Sequence, residues 1–245
     1  MRLLAIIEYD GADFEGFQIQ ARKRTVQGEL ERALHHITGE KIRVIGAGRT
    51  DTGVHATGQG AHFDTIWNRP PEVLQRALNA VLPNDIAVRI LVQVSNDFSA
   101  RYSAQSRTYR YTILNQQIRS PLDARSVLFI PEPLDADAMD AAARCLIGKQ
   151  DFGAFGTPPH GENTVREIYR TQVTREDARV LIEIEANAFL YRMVRRIVGT
   201  LILVGKGTLS VEQFRQVLAK QRRAGQSVPP QGLCLIAVKY TVLSF

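Results

Sequence analysis

The sequence predicts an α/β protein of the α+β type, two tandem ferredoxin-like units with mostly antiparallel sheets and an active-site cleft between them. Two observations carry that expectation. Apolar periodicities over residues 1–100 spell β-α-β-β-α-β, and the same succession, with one extra helix, recurs over residues 101–245. Alternating apolar residues mark strands and apolar residues recurring every three or four mark helices. That succession of elements is the ferredoxin-like unit. With 245 residues, 44% apolar and 23% charged, the chain has ordinary globular composition and enough apolar surface for one large domain or two small ones.

The elements follow in order. Residues 2–9 read as a mostly apolar strand, and Val26, Leu30, Ala33, Leu34 and Ile37 recur at helical spacing up to Gly39. Short strands at 42–47 and 59–63 flank a glycine-rich loop. Pro70 and Pro71 open a helix whose Val73, Leu74, Ala77, Leu78 and Val81 share a face. Ile86, Val88, Ile90, Val92 and Val94 then alternate as a strand. In the second half, 108–113 reads as a strand, and Ala138, Met139, Ala142, Leu146 and Ile147 line a helix stopped by Gly148. Strands at 165–174 and 180–186 form a hairpin about the turn Arg175-Glu176-Asp177. Leu190, Met193, Val194, Ile197, Val198 and Leu201 mark an apolar helix, Ser210 and Gln213 a capping box for another, and 233–240 a last strand. The polar stretch 96–106 is the expected junction, and the loop 153–163, with Pro158 and Pro159, is a lid or a long turn.

Charge narrows the class of partner. There are 31 Lys and Arg against 25 Asp and Glu, a net charge of +6 with a pI near 9.5, so the summed field favours polyanions such as nucleic acid. Cys145 and Cys234 lie far apart, with no Cys-x-x-Cys pair, and read as free thiols in a reducing cytoplasm. Residues 3–7 are too short an apolar run for a secretory signal, and 197–204 falls well below the roughly 18 residues that span a bilayer.

The chemistry points to residues 46–58. Asp51 stands there with Arg49 two residues before it and glycines at 46, 48, 53 and 58. Glycines let backbone approach a ligand closely, a nearby arginine keeps an acid ionised, and an ionised Asp on such a loop is a nucleophile or a base. The same residues also suit a turn Asp with a solvated Arg. Basic residues gather at 22–24, at Arg101, Arg107 and Arg110, at Arg192, Arg195 and Arg196, and at Lys220, Arg222 and Arg223. Arg107-Thr108-Tyr109-Arg110-Tyr111 interleaves cations with aromatics, as phosphates beside stacked bases require, although the two tyrosines would equally pack on a core face. On a strand, Tyr109 and Tyr111 point one way and Arg110 the other. Arg192, Arg195 and Arg196 lie on an otherwise apolar helix, where a half-buried arginine calls for a carboxylate partner, and Asp51 is one candidate. His55, His62 and Asp64 are too loosely grouped for a metal site.

Gly48-Arg49-Thr50-Asp51-Thr52-Gly53-Val54-His55-Ala56 resembles the signature of the TruA-type tRNA pseudouridine synthases. The resemblance continues in order through Tyr9-Asp10-Gly11, Phe14-Glu15-Gly16-Phe17-Gln18, Phe98-Ser99-Ala100-Arg101 and Tyr109-Arg110-Tyr111, then Asn187 to Arg195 with Val198-Gly199, and the stretch 229–233. Thr52 where alanine is common, Pro230 and Gly153 are the departures, and none falls on a residue that the family's chemistry needs.

The resemblance implies a homodimeric, cytoplasmic isomerase that turns uridine into pseudouridine in the tRNA anticodon arm, without cofactor or metal. It implies that Asp51 is the catalytic carboxylate, acting on the sugar, on the base or on a sugar proton. Arg49 would fill the space left by a flipped uridine, Tyr109 stack on the uracil, and Arg195 pair with Asp51. Arg49, Tyr109, His55 and Arg110 are the expected substrate contacts. Two other readings stand beside this one. They are a non-catalytic RNA-binding module, and a dimeric aspartic protease suggested by Asp51-Thr52-Gly53, which would need a second aspartate from its twin.

Overall fold

Leu3, Ala5, Ile7 and Tyr9 alternate along strand β1 (Arg2–Tyr9) and are all buried, while Leu4 on its other face joins a second cluster with Phe98 and Tyr240. A strand buried on both faces reads as a continuous apolar run, as this one does, and belongs at the centre of a sheet. The computed structural model describes residues 1–158 and 160–241. Two units divide the chain, Met1–Gln105 with the stretch from Cys234, and Ser106–Leu233.

In the first unit, helix α1 (Val26–Thr38) opens where Thr25 Oγ1 accepts the Gly28 N–H and closes at Gly39, whose φ of 75° suits a residue without a side chain. β2 is only Ile45–Gly46, shorter than the expected 42–47. The reason lies in α1, whose side chains take the backbone groups a strand would have used. Glu31 accepts the Val44 N–H at 3.0 Å and Gln27 donates to the Val44 carbonyl at 3.0 Å. β3 (His55–Asp64) runs antiparallel to β1, followed by α2 (Pro71–Val81) and β4 (Ile86–Val94), also antiparallel to β1. The sheet order β4-β1-β3-β2 is the ferredoxin-like order.

The second unit is a mostly antiparallel sheet in the order β5-β9-β8-β7, from β5 (Ala104–Asn115), β7 (Gly148–Asp151), β8 (Val165–Glu176) and β9 (Arg179–Ala186). A short β6 (Leu128–Ile130) lies parallel to the end of β5. Helices α3 (Ala136–Arg144), α4 (Met193–Gly205) and α5 (Val211–Leu218) supply Met139, Ile197, Val198, Leu201 and Phe214 to a core that also buries Tyr111, Ile182 and Ile184. The Ser210 and Gln213 capping box forms as expected.

Other boundaries shift for local reasons. Leu146 and Ile147 continue the apolar period of α3, but their N–H groups bond back only three residues and Gly148, at φ 104°, turns the chain into β7, which the sequence did not announce. Arg192 is left-handed at φ 60°, so α4 begins at Met193 rather than at Leu190. The hairpin tightens to a two-residue turn at Asp177, φ 51°.

The last strand, β10 (Leu233–Tyr240), falls with the first unit rather than with residues 101–245, where its sequence position groups it. It pairs parallel to β3, Cys234 opposite His55 and Leu235 opposite Ala56, and Tyr240 Oη donates to the Ala100 carbonyl at 2.8 Å. Glycines in β3 admit it closely: a Cβ on Gly58 would sit 2.3 Å from the Ile236 carbonyl oxygen. Among the described residues no helix is long and apolar enough to cross a membrane.

Candidate active site

The Asp51 loop is held from both ends and from beneath. Ala47 donates to the Gly60 carbonyl at 2.7 Å, and the fully buried Gln59 donates from its side-chain amide to the Gly48 carbonyl at 3.0 Å. Arg49 is exposed, Thr50 buried and Asp51 half-buried, so the two charged residues flank an inward anchor. Thr50 Oγ1 lies 2.8 Å from the Tyr9 hydroxyl, and the Thr50 carbonyl accepts the Phe17 N–H at 3.1 Å.

The segment Phe14 to Gln18 is therefore the loop's backbone partner. Gly16, at φ 89°, is required there, because a Cβ would stand 2.7 Å from the Thr50 carbonyl oxygen. Past the carboxylate, Val54 N–H bonds to the Asp51 carbonyl at 3.1 Å and Gly53 N–H to the Phe14 carbonyl at 3.3 Å.

His55 is half-buried and turned toward the protein. Its Nδ1 accepts the Gly11 N–H at 3.0 Å and also lies 3.0 Å from Asp10 Oδ1. One nitrogen cannot both accept the first and donate to the second, so a bare Nδ1 takes the Gly11 N–H and an Nδ1 that carries hydrogen donates to Asp10. Asp64 is held by Arg2 through two bonds of 2.8 Å, and the buried His62 accepts the Ala100 N–H at 3.0 Å. Each of the three residues weighed as metal ligands thus has its own partner, and among the described residues no group of three His, Cys, Asp or Glu is placed to hold a metal.

In the second unit, Tyr109 is half-buried and stands opposite Ile184. Its ring meets Phe189 edge to face, 5.0 Å between centroids at 87°. Next to them Arg107 donates to the Asn187 carbonyl at 2.8 Å, and Asn187 Oδ1 takes the Glu167 N–H at 3.0 Å, which fixes the chain that presents Phe189. Arg110 points to the other face, where Glu183 accepts from it at 2.6 Å and from Arg170 at 2.9 Å. Arg110 therefore lies on the face opposite Tyr109, as the alternation along the strand predicts.

Arg195 lies half-buried on α4, its Nε donating to the Val228 carbonyl at 2.7 Å while its own carbonyl accepts the Val228 N–H at 3.2 Å. The neighbouring Tyr111 is fully buried and donates to the Pro229 carbonyl at 2.9 Å. Burial pushes its phenol well above the usual range against the opposing pull of the Arg195 charge, so Tyr111 is a neutral hydrogen-bond donor.

The basic clusters separate into internal and outward members. Arg24 is used internally, paired with Asp85 at 2.7 and 2.9 Å and lying 4.1 Å over the Phe14 ring. Outward arginines lie over neighbouring aromatics, Arg101 over Tyr102 and Arg192 over Tyr191, at 5.5 and 5.0 Å. Beside the 153–163 loop, Asp151 Oδ1 accepts from Gly153 N–H and Thr164 Oγ1 and its Oδ2 from Lys220, which holds its carboxyl down at about 2. Thr157 in that loop bridges to Tyr191, while Pro159, counted in the expected lid, lies outside the described residues.

Sequence reasoning singled out Asp51, Arg49, Tyr109 and Arg195 but gave no role to Tyr9, Thr50, Gln59 or Phe189. A signal existed for Gln59, a polar residue that shares one strand face with the apolar Ala61 and Phe63. Nothing in the chain announces that Tyr9 meets Thr50 across 41 residues.

The family model described as tRNA pseudouridine synthase matches residues 5–103 and 142–241. The tRNA pseudouridine synthase A of Roseiflexus sp. (strain RS-1) is 47% identical over 98% of this chain and 91% of its own length. That of Brevibacillus brevis is 42% identical over 98% of this chain and 99% of its own. A solved chain from an H/ACA RNP bound to a substrate RNA containing 2'-deoxyuridine has a TM-score of 0.36 and 13% identity, over 84% of this chain and about half, 54%, of its own length.

Proposed function

The chain belongs to the tRNA pseudouridine synthase family, and we propose that it acts in the tRNA anticodon arm, at about nucleotides 38 to 40, with Asp51 as the reacting carboxylate. It is an isomerase that converts uridine to pseudouridine in tRNA. The N1–C1′ bond breaks and a C5–C1′ bond forms; the C5 proton leaves and N1 takes one up, so nothing is oxidised or reduced. Cleavage of the glycosidic bond puts positive charge on the ribose, and an adjacent carboxylate stabilises or traps it.

The observation that carries the assignment is the setting of Asp51, half-buried on a loop whose carbonyls at Gly48 and Thr50 are both tied to the protein. A fixed carboxylate at a surface loop can meet a nucleotide without first being ordered. A uridine in a paired stem must leave the stack to reach it. Arg49, exposed two residues away, occupies the vacated space and meets phosphate. Tyr109, steadied by Phe189, stacks on the uracil. Arg195, half-buried on α4 and held by the Val228 carbonyl, is in this reading the third catalytic residue. His55 shapes the loop through Gly11, and Arg110 is left out because Glu183 holds it on the face opposite Tyr109. The enzyme works as a cytoplasmic homodimer that needs neither metal nor cofactor, and sedimentation showing a monomer at every concentration contradicts the dimer.

Release of tritium from uracil C5 of labelled tRNA tests the reading. The protein releases label in the presence of a chelator, and Asp51→Ala releases none while still retaining tRNA on a filter. Turnover by Asp51→Ala overturns the assignment of Asp51, and absence of release by the unaltered protein overturns the enzyme.

A further inference from the structure

We propose that Tyr9 is a positioning residue for the isomerisation, acting through its buried hydrogen bond to Thr50 to aim Asp51. The proposal rests on Asp51 as the reacting carboxylate. Tyr9 and Thr50 are 3% and 5% exposed, and their hydroxyl oxygens lie 2.8 Å apart. Either hydroxyl can donate, and burial makes the bond costly to leave unmade.

Thr50 is the residue on which two anchors converge. Its side chain is held by Tyr9 and its carbonyl by the Phe17 N–H. That carbonyl belongs to the peptide plane joining Thr50 to Asp51, so the two anchors together fix the direction in which the Asp51 Cα leaves the loop. Gly16 leaves room for the clamp, since a Cβ there would also come within 3.3 Å of the Asp51 carbonyl carbon.

Tyr9 is suited to be the fixed end of this brace. It closes β1, the strand paired on both sides, and lies opposite Ala56 on β3 and Ile86 on β4. Its ring also packs against Phe17, 6.5 Å between centroids, so the residue that holds the Thr50 side chain touches the one that holds the Thr50 carbonyl. A loop positioned in this way transmits the rigidity of the sheet to the carboxylate, and sub-ångström displacement of a reacting group is what kcat reads most sharply.

The test is a kinetic series on the full-length protein, with rates expressed per folded molecule by circular dichroism at the assay temperature. Tyr9→Phe and Thr50→Val each lower kcat about tenfold and leave KM for tRNA within about twofold, because ground-state binding of a large RNA does not depend on the aim of one carboxylate. Thr50→Ser, which keeps the hydroxyl, restores the rate, and the Tyr9→Phe/Thr50→Val double variant is no slower than the worse single one. Full kcat in either single variant, no rescue by Thr50→Ser, or additive losses in the double variant overturns the brace. Asp51→Ala in the same series is inactive. If it turns over, the assignment of Asp51 fails and the brace with it; if it is dead while Tyr9→Phe and Thr50→Val run at full rate, the brace alone fails.

Discussion

Glu183 Oε1 accepts from both Nε and Nη2 of Arg110, at 2.8 and 2.6 Å, on the sheet face opposite Tyr109. On that face the Arg110 guanidinium is tied to a carboxylate that also holds Arg170, and it is turned away from the ring that a substrate base would meet. Arg110→Ala therefore leaves kcat and KM for tRNA within about twofold in tritium-release kinetics, and costs no more than about 1 kcal/mol in urea unfolding, the range of partly exposed ion pairs. A large rise in KM would restore Arg110 to the RNA surface.

Phe189 meets the Tyr109 ring edge to face, and its own position is fixed through Asn187. Such aromatic pairs contribute about 1 kcal/mol beyond their buried area. Phe189→Ala frees the ring to leave the orientation in which it stacks, and kcat falls roughly tenfold. Phe189→Tyr keeps the edge and most of the rate. Equal rates for Phe189→Ala and the unaltered enzyme would remove Phe189 from the site.

The first unit was legible in the sequence because β1 is an apolar run, β4 alternates, α1 lies between its Thr25 cap and Gly39, and α2 opens on Pro71 as local chemistry requires. What local pattern could not reveal was set by distant partners. Residues 42–44 look like strand, but Glu31 and Gln27 satisfy Val44. The last strand, β10, follows the second half in sequence and pairs with β3, a parallel pairing across about 180 residues that no periodicity encodes. In the site, Asp51 and Arg49 stood out by residue type and glycine content. Tyr9, Thr50 and Gln59 did not, because a buried hydrogen bond depends on distances between segments.

Gly199 lies inside α4, where alanine is ordinarily the better helix former by up to about 1 kcal/mol. Here a Cβ would stand 1.9 Å from the Gln226 carbonyl oxygen, which is backbone and cannot swing aside. Overpacking of this kind costs about 1 to 3 kcal/mol and outweighs the gain in propensity. Gly199→Ala thus lowers the urea midpoint. It also lowers kcat, because the strand of chain it displaces holds Arg195 through Val228. A more stable Gly199→Ala protein would show that the 225–228 segment yields freely.

His62 is 4% exposed, its Nδ1 accepts the Ala100 N–H, and its ring meets Phe98 edge to face at 6.3 Å. Burial above all, with the Arg2 charge adding to it and the Asp64 charge opposing, holds its pKa below the ordinary 6.5. The folded protein thus takes up a proton on His62 less readily than the unfolded chain does. Its contribution to stability is complete above about pH 6.5 and declines as the pH falls from there toward the lowered folded value. Asp64, held low mainly by its bonds to Arg2, loses its contribution only below about pH 4, so the two effects separate. Urea midpoints of the protein fall between pH 7.5 and 5.5, and His62→Gln, which can still accept the Ala100 N–H but carries no titrating group, flattens that fall. An equal fall in both proteins would mean that His62 titrates as freely in the sheet as in the unfolded chain.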